Sequence, residues 1–276
     1  MTDLYDWQGG VGDKWAEEWR RTDRSFAGLT DRLLGVASAG TIYRALDVGC
    51  GAGELSLALG RGHASAEIVG LDISENLIAV AKERGDHLFN VSFEQGDASK
   101  WERDDWAPDL ILSRHGVMFF PDPVRAFAHL HDIAAREGRL VFSCFRAVEE
   151  NIWADKITSF LPPGAVRDGD PTAPGPFAFA DAMHVRNILS EAGWTDIAFE
   201  PADYAYIAGT GEDPVGDALN FFLAIGPAAA AARALPDSEK ADFIAKLRRF
   251  LGNHRDGSMV AMRASAWIVT ARAGRK

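Results

Sequence analysis

The stretch Asp47-Val48-Gly49-Cys50-Gly51-Ala52-Gly53-Glu54 sets one carboxylate and three glycines at alternate positions behind an apolar lead-in. Gly49 and Gly51 allow a backbone turn close to a ligand, and Gly53 admits a helix packed tightly on a strand. A helix beginning at Glu54 would aim its N-terminus at whatever lies over the turn. An adenosine-containing cofactor is the natural occupant. In the nicotinamide fingerprint a small residue comes three positions after the second glycine. Glu54 stands there, and a bulky acid meets a pyrophosphate badly. Asp47, two residues before the first glycine, suits a ligand that carries an ammonium and a sulfonium.

The elements that must hold this turn can be read in order. Ala45 to Val48 is a buried strand. Glu67-Ile68-Val69-Gly70-Leu71-Asp72-Ile73 is a second, ending in an acid 19 residues beyond Gly53, where a carboxylate can accept from both ribose hydroxyls. Val91 to Gln95 is a third strand and runs into Gly96-Asp97-Ala98. Asp109 to Arg114 is a fourth and delivers His115-Gly116-Val117-Met118-Phe119-Phe120 to the carboxyl edge of the sheet, where open α/β sheets place their chemistry. Gly138 to Phe145 is a fifth. Ser74, Asp122 and Asp181 are expected as helix caps, with Pro123 in a first turn.

Four motifs agree in order and spacing: Asp47 to Gly53, Leu71-Asp72-Ile73, Gly96-Asp97-Ala98, and Ser113 to Pro123. With Gly138-Arg139-Leu140 they resemble the class I S-adenosylmethionine-dependent methyltransferases, in the small-molecule branch similar to ubiquinone and menaquinone biosynthesis enzymes. The resemblance is close over residues 40 to 146. It implies a Rossmann-like, doubly wound, seven-stranded and mostly parallel sheet with an antiparallel C-terminal strand inserted between the fifth and sixth. It implies S-adenosylmethionine as cofactor, with S-adenosylhomocysteine as product, held by Asp47, Gly49, Cys50, Gly51, Gly53, Asp72, Ile73, Asp97, Ala98 and Ser113. Asp97 would accept from the adenine amine; the alternative reading from its place after glycine is a turn-forming acid. Relatives usually carry an aromatic apolar residue where this chain has His115.

The chain reads as one domain with a helical lid at 1–40, a cofactor-binding core at 41–146, substrate-cap insertions at 147–180 and 207–262, and the rest of the sheet at 181–206 and 263–276. The first insertion, rich in Pro and Gly, is expected to be irregular. Trp15 and Trp19, four apart, are expected on one face of one helix. Tyr5, Trp7, Trp15, Trp19, Met118, Trp153 and Phe177 are candidates for the acceptor pocket, which favours an apolar or aromatic small molecule. The same residues would serve as ordinary core.

Methyl transfer from a sulfonium is an in-line displacement; the protein aligns the acceptor and, for a hydroxyl or amine, takes a proton. His115 is the candidate base or orienting group, with a packing histidine as the competing reading. O- or C-methylation is favoured over N-methylation. No metal site is expected: His129 and His131 are two apart, with no Glu-x-x-His context.

Size and charge limit the alternatives. The chain has 276 residues, 47% of them hydrophobic, and 29 Lys and Arg against 40 Asp and Glu, a net charge of −11. That balance disfavours nucleic acid as a partner. No apolar run reaches the ~20 residues of a bilayer span, and Cys50 and Cys144 read as reduced core thiols. A cytoplasmic enzyme acting on a small molecule follows; homodimerisation stays open. The rival readings are a methyltransferase-like binding protein without turnover and a nicotinamide-dependent oxidoreductase.

Overall fold

The computed structural model describes residues 7–161 and 170–274. The N-terminal segment forms two helices, α1 (Gly10–Glu17) and α2 (Trp19–Ala37). Alternation then begins with β1 (Arg44–Val48), α3 (Glu54–Gly62), β2 (Glu67–Asp72), α4 (Glu75–Gly85) and β3 (Val91–Gln95). β4 (Leu110–Arg114), α5 (Pro123–Ile133) and β5 (Arg139–Phe145) follow. After α6 (Ile152–Ser159) and α7 (Ala182–Glu191) the chain enters β6 (Trp194–Thr210), then α8 (Pro214–Ala224), α9 (Gly226–Ala234) and α10 (Asp237–Asn253). It ends with the short β7 (Arg255–Asp256) and β8 (Met259–Ala273).

The sheet order is β3-β2-β1-β4-β5-β8-β6, with β7 paired to β8. β1 to β5 run parallel, and β8 is antiparallel to both β5 and β6. The inserted antiparallel strand expected from the sequence is therefore β8, and the two-residue β7 makes eight strands where seven were expected. The order reverses direction between β1 and β4, which opens a crevice at their carboxyl ends. β1, β2 and β4 are buried along almost their whole length, as strands covered on both faces must be. Leu46, Ile68, Val69, Leu110 and Leu112 are fully shielded from solvent.

Local signals held where local chemistry decides. Ser74, Asp122 and Asp181 cap α4, α5 and α7, each accepting from a backbone amide of the first turn. Pro123 occupies the first turn of α5. Corrections fall where tertiary packing decides. Trp15 and Trp19 belong to two helices broken at Glu18, not to one. The chain between β3 and β4 makes turns and no helix. Residues 148 to 159, expected to be irregular, hold a turn of 3-10 helix and α6. Ala228 to Ala232 lie inside α9, with Ala228, Ala229 and Ala232 buried.

β6 and β8 are far longer than sequence patterning indicates, at 17 and 15 residues. They pair from Trp194–Ala273 to Thr210–Met259, forming an arm onto which α2 and α8 pack. Among the described residues no single helix is long and apolar enough to cross a membrane; α8 and α9 together pass by length and composition, but they are bent by 72°.

Candidate active site

The glycine turn is built by backbone geometry that only glycine adopts freely. Gly49, Gly51 and Gly53 all have positive φ, at 66°, 55° and 87°. A Cβ on Gly49 would meet the Cα of Gly116 at 2.9 Å, so the loops after β1 and β4 touch here. A Cβ on Gly51 would meet nothing within 4 Å. On Gly53 it would strike the Phe93 ring at 2.8 Å. Gly51 therefore faces open space and Gly53 serves packing, as its spacing predicted; Gly53 does not line the cavity and is withdrawn from the candidate cofactor contacts.

Over the turn lies a cavity of about 240 Å³. Its walls bring together Asp47, Gly49, Cys50, Gly51, Asp72, Ile73, Asp97 and Ala98 with His115, Trp7, Trp15, Trp19, Met118 and Trp153. Tyr5 lies outside the described residues. Phe177 packs behind the wall against Phe145 and Trp153, with its neighbour Pro176 at the surface of the cavity. Ser113 is fully buried and does not line it; its hydroxyl accepts from the Gly116 amide at 3.1 Å, which fixes the turn that carries His115.

The acids differ in what they have left to offer. Asp47 Oδ2 accepts from the Ser56 amide at 3.1 Å and the Ser56 hydroxyl at 2.6 Å, while Oδ1 is buried with no protein partner. Burial pushes its carboxyl up to about 6 despite the Ser56 hydrogen bonds and the nearby Arg114. Asp72 accepts from Gly51 N at 2.8 Å and Ser74 N at 2.9 Å, and burial also raises it. Asp97 forms a turn with Ser99, whose amide and hydroxyl both donate to Oδ1; Oδ2 faces Lys100 Nζ at 3.4 Å. Burial works to raise the Asp97 carboxyl, but the bonds from Ser99 and Lys100 leave it lowered overall.

Glu54 turns away from the cavity. Its carboxylate meets Arg84 at 2.6 Å, and Arg84 also pairs with Asp23 at 3.0 Å and donates to the Ala52 carbonyl at 2.6 Å. Asp23 in turn holds Arg114 at 3.0 Å, and Arg114 donates to the Thr30 hydroxyl at 2.7 Å. Trp19 lies over the Arg84 guanidinium, 3.8 Å from the ring centre. This chain of charges fastens α2 to the start of α3, the end of α4 and the end of β4. Glu54, expected from the sequence to repel a pyrophosphate, is instead held by Arg84 and does not line the cavity.

His115 sits in the left-handed region, φ 62°, with both ring nitrogens buried and unpartnered. It stacks on Phe145, ring centres 4.0 Å apart and planes 12° from parallel. Burial, followed by the charge of Arg114, pushes its imidazole down to about 3, so it is neutral across the physiological range.

His115 is one member of a closed circuit of rings. From His115 the path runs to Phe145, to Trp153 at 5.5 Å, to Tyr206 at 5.3 Å, to Phe26 at 5.6 Å, and back to His115 at 5.2 Å. All five line the cavity, with Phe221 and Phe222 beyond them. Tyr206, Phe221 and Phe222 carried no signal in the sequence. They come from β6 and α8, more than 90 residues after His115, and only the long β6–β8 arm brings them back. Among the described residues no group of three or more His, Cys, Asp or Glu is placed to hold a metal.

Residues 41–168 match the family model of the methyltransferase domain. The demethylmenaquinone methyltransferase of Staphylococcus carnosus is 33% identical over 99 residues, 36% of this chain and 41% of that protein. The chain thus matches about two fifths of that relative's length. Among solved structures, phosphoethanolamine N-methyltransferase 2 of Haemonchus contortus in complex with S-adenosyl-L-methionine superposes with a TM-score of 0.57 at 14% identity, covering 100% of this chain and 61% of that one. Magnesium protoporphyrin IX methyltransferase of Synechocystis with bound S-adenosylhomocysteine gives 0.51 at 19% identity over 71% of this chain and 89% of that one. Residues 41–168 thus carry a methyltransferase domain, and the chain has the fold of these S-adenosylmethionine-binding methyltransferase structures.

Proposed function

We propose that this protein transfers a methyl group from S-adenosylmethionine to the oxygen or carbon of a small molecule. The observation that carries the reading is the buried, unpartnered Oδ1 of Asp47 at a turn whose glycine faces open space. A buried polar atom without a partner costs about 1–3 kcal/mol, which a ligand's ammonium would recover. The rest of the donor set fits the same ligand. Asp72 and Asp97 retain acceptor capacity beyond their backbone bonds, which suits ribose hydroxyls and an adenine amine, and the Ala98 amide lies beside Asp97. Arg114, the one arginine or lysine among the described lining residues, is already bound to Asp23 and Thr30. That leaves nothing to neutralise a pyrophosphate.

When bound, S-adenosylmethionine supplies a methyl group on a sulfonium, which leaves as a neutral thioether. The chain's own part is to align and to exclude water. The ring circuit shapes an apolar acceptor end, the N-terminal helices act as a lid, and α6 with the α8–α10 insertion forms the cap. His115 deepens the site as an orienting group: its neutral imidazole accepts a hydrogen bond from an acceptor hydroxyl and takes the proton that the methylated oxygen gives up. Its depressed pKa makes it a weak general base. The free, buried thiols of Cys50 and Cys144 fit a reducing compartment such as the cytoplasm, and the net charge of −11 supports a partner other than nucleic acid.

The test is a pair of calorimetric titrations followed by transfer of labelled methyl from S-adenosylmethionine to a panel of small acceptors. S-adenosylhomocysteine should bind and NAD should not. NAD binding alone would restore the oxidoreductase reading; S-adenosylhomocysteine binding with no transfer to any acceptor would support a binding protein without turnover.

A further inference from the structure

The cavity divides along the sheet. The carboxyl ends of β1, β2 and β3 supply the acids and the glycine turn, whereas the ends of β4 and β5, together with β6, α2 and α6, supply the ring circuit. The two ends differ in charge. Three of the four acids that line the cavity, Asp47, Asp72 and Asp97, belong to the first. Among the described lining residues the second contains a single cation, Arg114, and a single acid, Asp23, and these are bound to each other at 3.0 Å. Their side chains are only 13% and 15% exposed, so the pair is desolvated as well as closed.

The remaining polar groups at this end are uncharged. The ring nitrogens of His115, the indole nitrogen of Trp153 and the hydroxyl of Thr22 are all buried without a protein partner. His115 and Trp153 sit on opposite sides of Phe145 in the circuit, at 4.0 and 5.5 Å from it. Part of the wall is flat: His115 and Phe145 are near parallel, and so are Trp153 and Tyr206, at 16°, while Phe26 meets Tyr206 edge-on at 79°. Flat apolar walls with neutral hydrogen-bonding atoms and no available charge select by shape and by polarity. An anionic acceptor would have to be desolvated here with no counter-charge, which is expensive.

Resting on the methyl-transfer reading, we infer that the acceptor is an uncharged, flat molecule bearing a hydroxyl, and that Asp23 is the residue that sets this preference by occupying Arg114. Without Asp23 the Arg114 guanidinium, at the end of β4 beside His115, would be available to a carboxylate. Asp23 is thus a specificity-determining residue that acts through Arg114 and need not touch the acceptor.

A matched pair of probes tests this. 2-Naphthol and 2-naphthoate share a ring system, and near neutral pH the first is uncharged and the second anionic. Each is titrated into the protein saturated with S-adenosylhomocysteine, for wild type and for Asp23→Asn. Wild type should bind 2-naphthol at least tenfold tighter than 2-naphthoate, and Asp23→Asn should cut that ratio by tenfold or more. A wild-type complex that prefers 2-naphthoate, or that binds neither probe, overturns the inference. So does an Asp23→Asn protein that keeps both the fold and the wild-type ratio. Should Asp23→Asn fail to fold, the wild-type ratio still decides the acceptor's charge, and Arg114→Gln, which removes the masked cation directly, must then keep the preference for 2-naphthol. Failure of S-adenosylhomocysteine itself to bind would instead count against the methyl-transfer reading.

Discussion

Asp47 and Ser56 are joined by two hydrogen bonds, from the Ser56 amide and hydroxyl, and both end on the same carboxylate oxygen. The other oxygen is left buried and unpaired. One side of Asp47 is therefore committed to holding the first turn of α3 against β1, and the other has no protein partner.

Asp47→Asn should separate these two roles. The amide can still accept from Ser56 through its oxygen, and the cost of burying a charge disappears. Above pH 6 the ligand-free variant should melt a few degrees higher than wild type, a gain of about 1–2 kcal/mol. Its affinity for S-adenosylhomocysteine should fall by tenfold or more. Thermal melts with and without the ligand check both directions, and an unchanged affinity would remove Asp47 from the ammonium site.

Two buried cavity groups contribute opposing slopes to the pH dependence of stability. Asp47 is raised to about 6, so between the ordinary carboxylate range and pH 6 the native state holds a proton that the unfolded state has lost; this contribution strengthens as pH falls. His115 is lowered to about 3, so below its ordinary value the unfolded state gains a proton that the native state refuses, and stability drops. Between roughly pH 4 and 6 the two slopes cancel in wild type, at about 1.4 kcal/mol per pH unit each. Asp47→Asn removes the first slope and leaves the histidine's, so denaturant midpoints should decline more steeply with acidification through that window than in wild type.

His115→Asn keeps a residue that tolerates the left-handed region while removing the imidazole and its stack on Phe145. Turnover should drop about 10- to 100-fold, and S-adenosylhomocysteine affinity should change by less than threefold. Since the imidazole stays neutral, wild-type kcat should show no inflection near pH 6.5. An inflection there would reinstate His115 as a base with an ordinary pKa.

Arg84→Gln breaks the middle of the charge chain that runs from Glu54 to Arg114. Leaving Asp23 and Glu54 close together without their cation should cost about 2 kcal/mol of stability and loosen α2. Limited proteolysis should then cut the N-terminal helices faster than in wild type, and saturation with S-adenosylhomocysteine should slow that cutting.

Two glycine substitutions should part company. Gly51→Ala puts a methyl into open space at φ 55°, so it should cost about 1 kcal/mol of stability but sharply reduce S-adenosylhomocysteine affinity. Gly53→Ala drives a methyl into Phe93 and should destabilise the fold by about 2–3 kcal/mol. Chemical denaturation and calorimetry on both variants distinguish ligand contact from packing.

The cofactor end was legible in the sequence because local rules write it. Positive φ demands Gly49 and Gly51, short apolar runs mark β1, β2 and β4, and a single side chain caps each of α4, α5 and α7. The acceptor end was not. Arg114 meets Asp23 across 91 residues, and nothing in either neighbourhood signals the pair. Tyr206 reads as one more alternating residue until the full length of β6 is known, and Phe221 and Phe222 read as ordinary helix core. Trp7, Trp15, Trp19 and Trp153 were recognisable as pocket residues by aromatic density alone, and the same density left Phe177 on the wrong side of the wall. Ser113 was misplaced for a different reason: the motif marked its position, but its hydroxyl was needed for the turn below the site.

The place of β8 has a consequence for how the chain acquires its shape. β8 follows every other strand in sequence, yet it lies between β5 and β6 and is the only strand that β6 meets in the sheet order. Until residues 259–273 arrive, β5 and β6 both present open edges, and the walls contributed by Tyr206 and α8 have no sheet to rest on. Closing the sheet joins segments more than a hundred residues apart, from Arg139 to Arg272, which is entropically slow. The cofactor half, made of nearby pairings, should gain protection from hydrogen exchange early in refolding. The half that chooses the acceptor should gain it late.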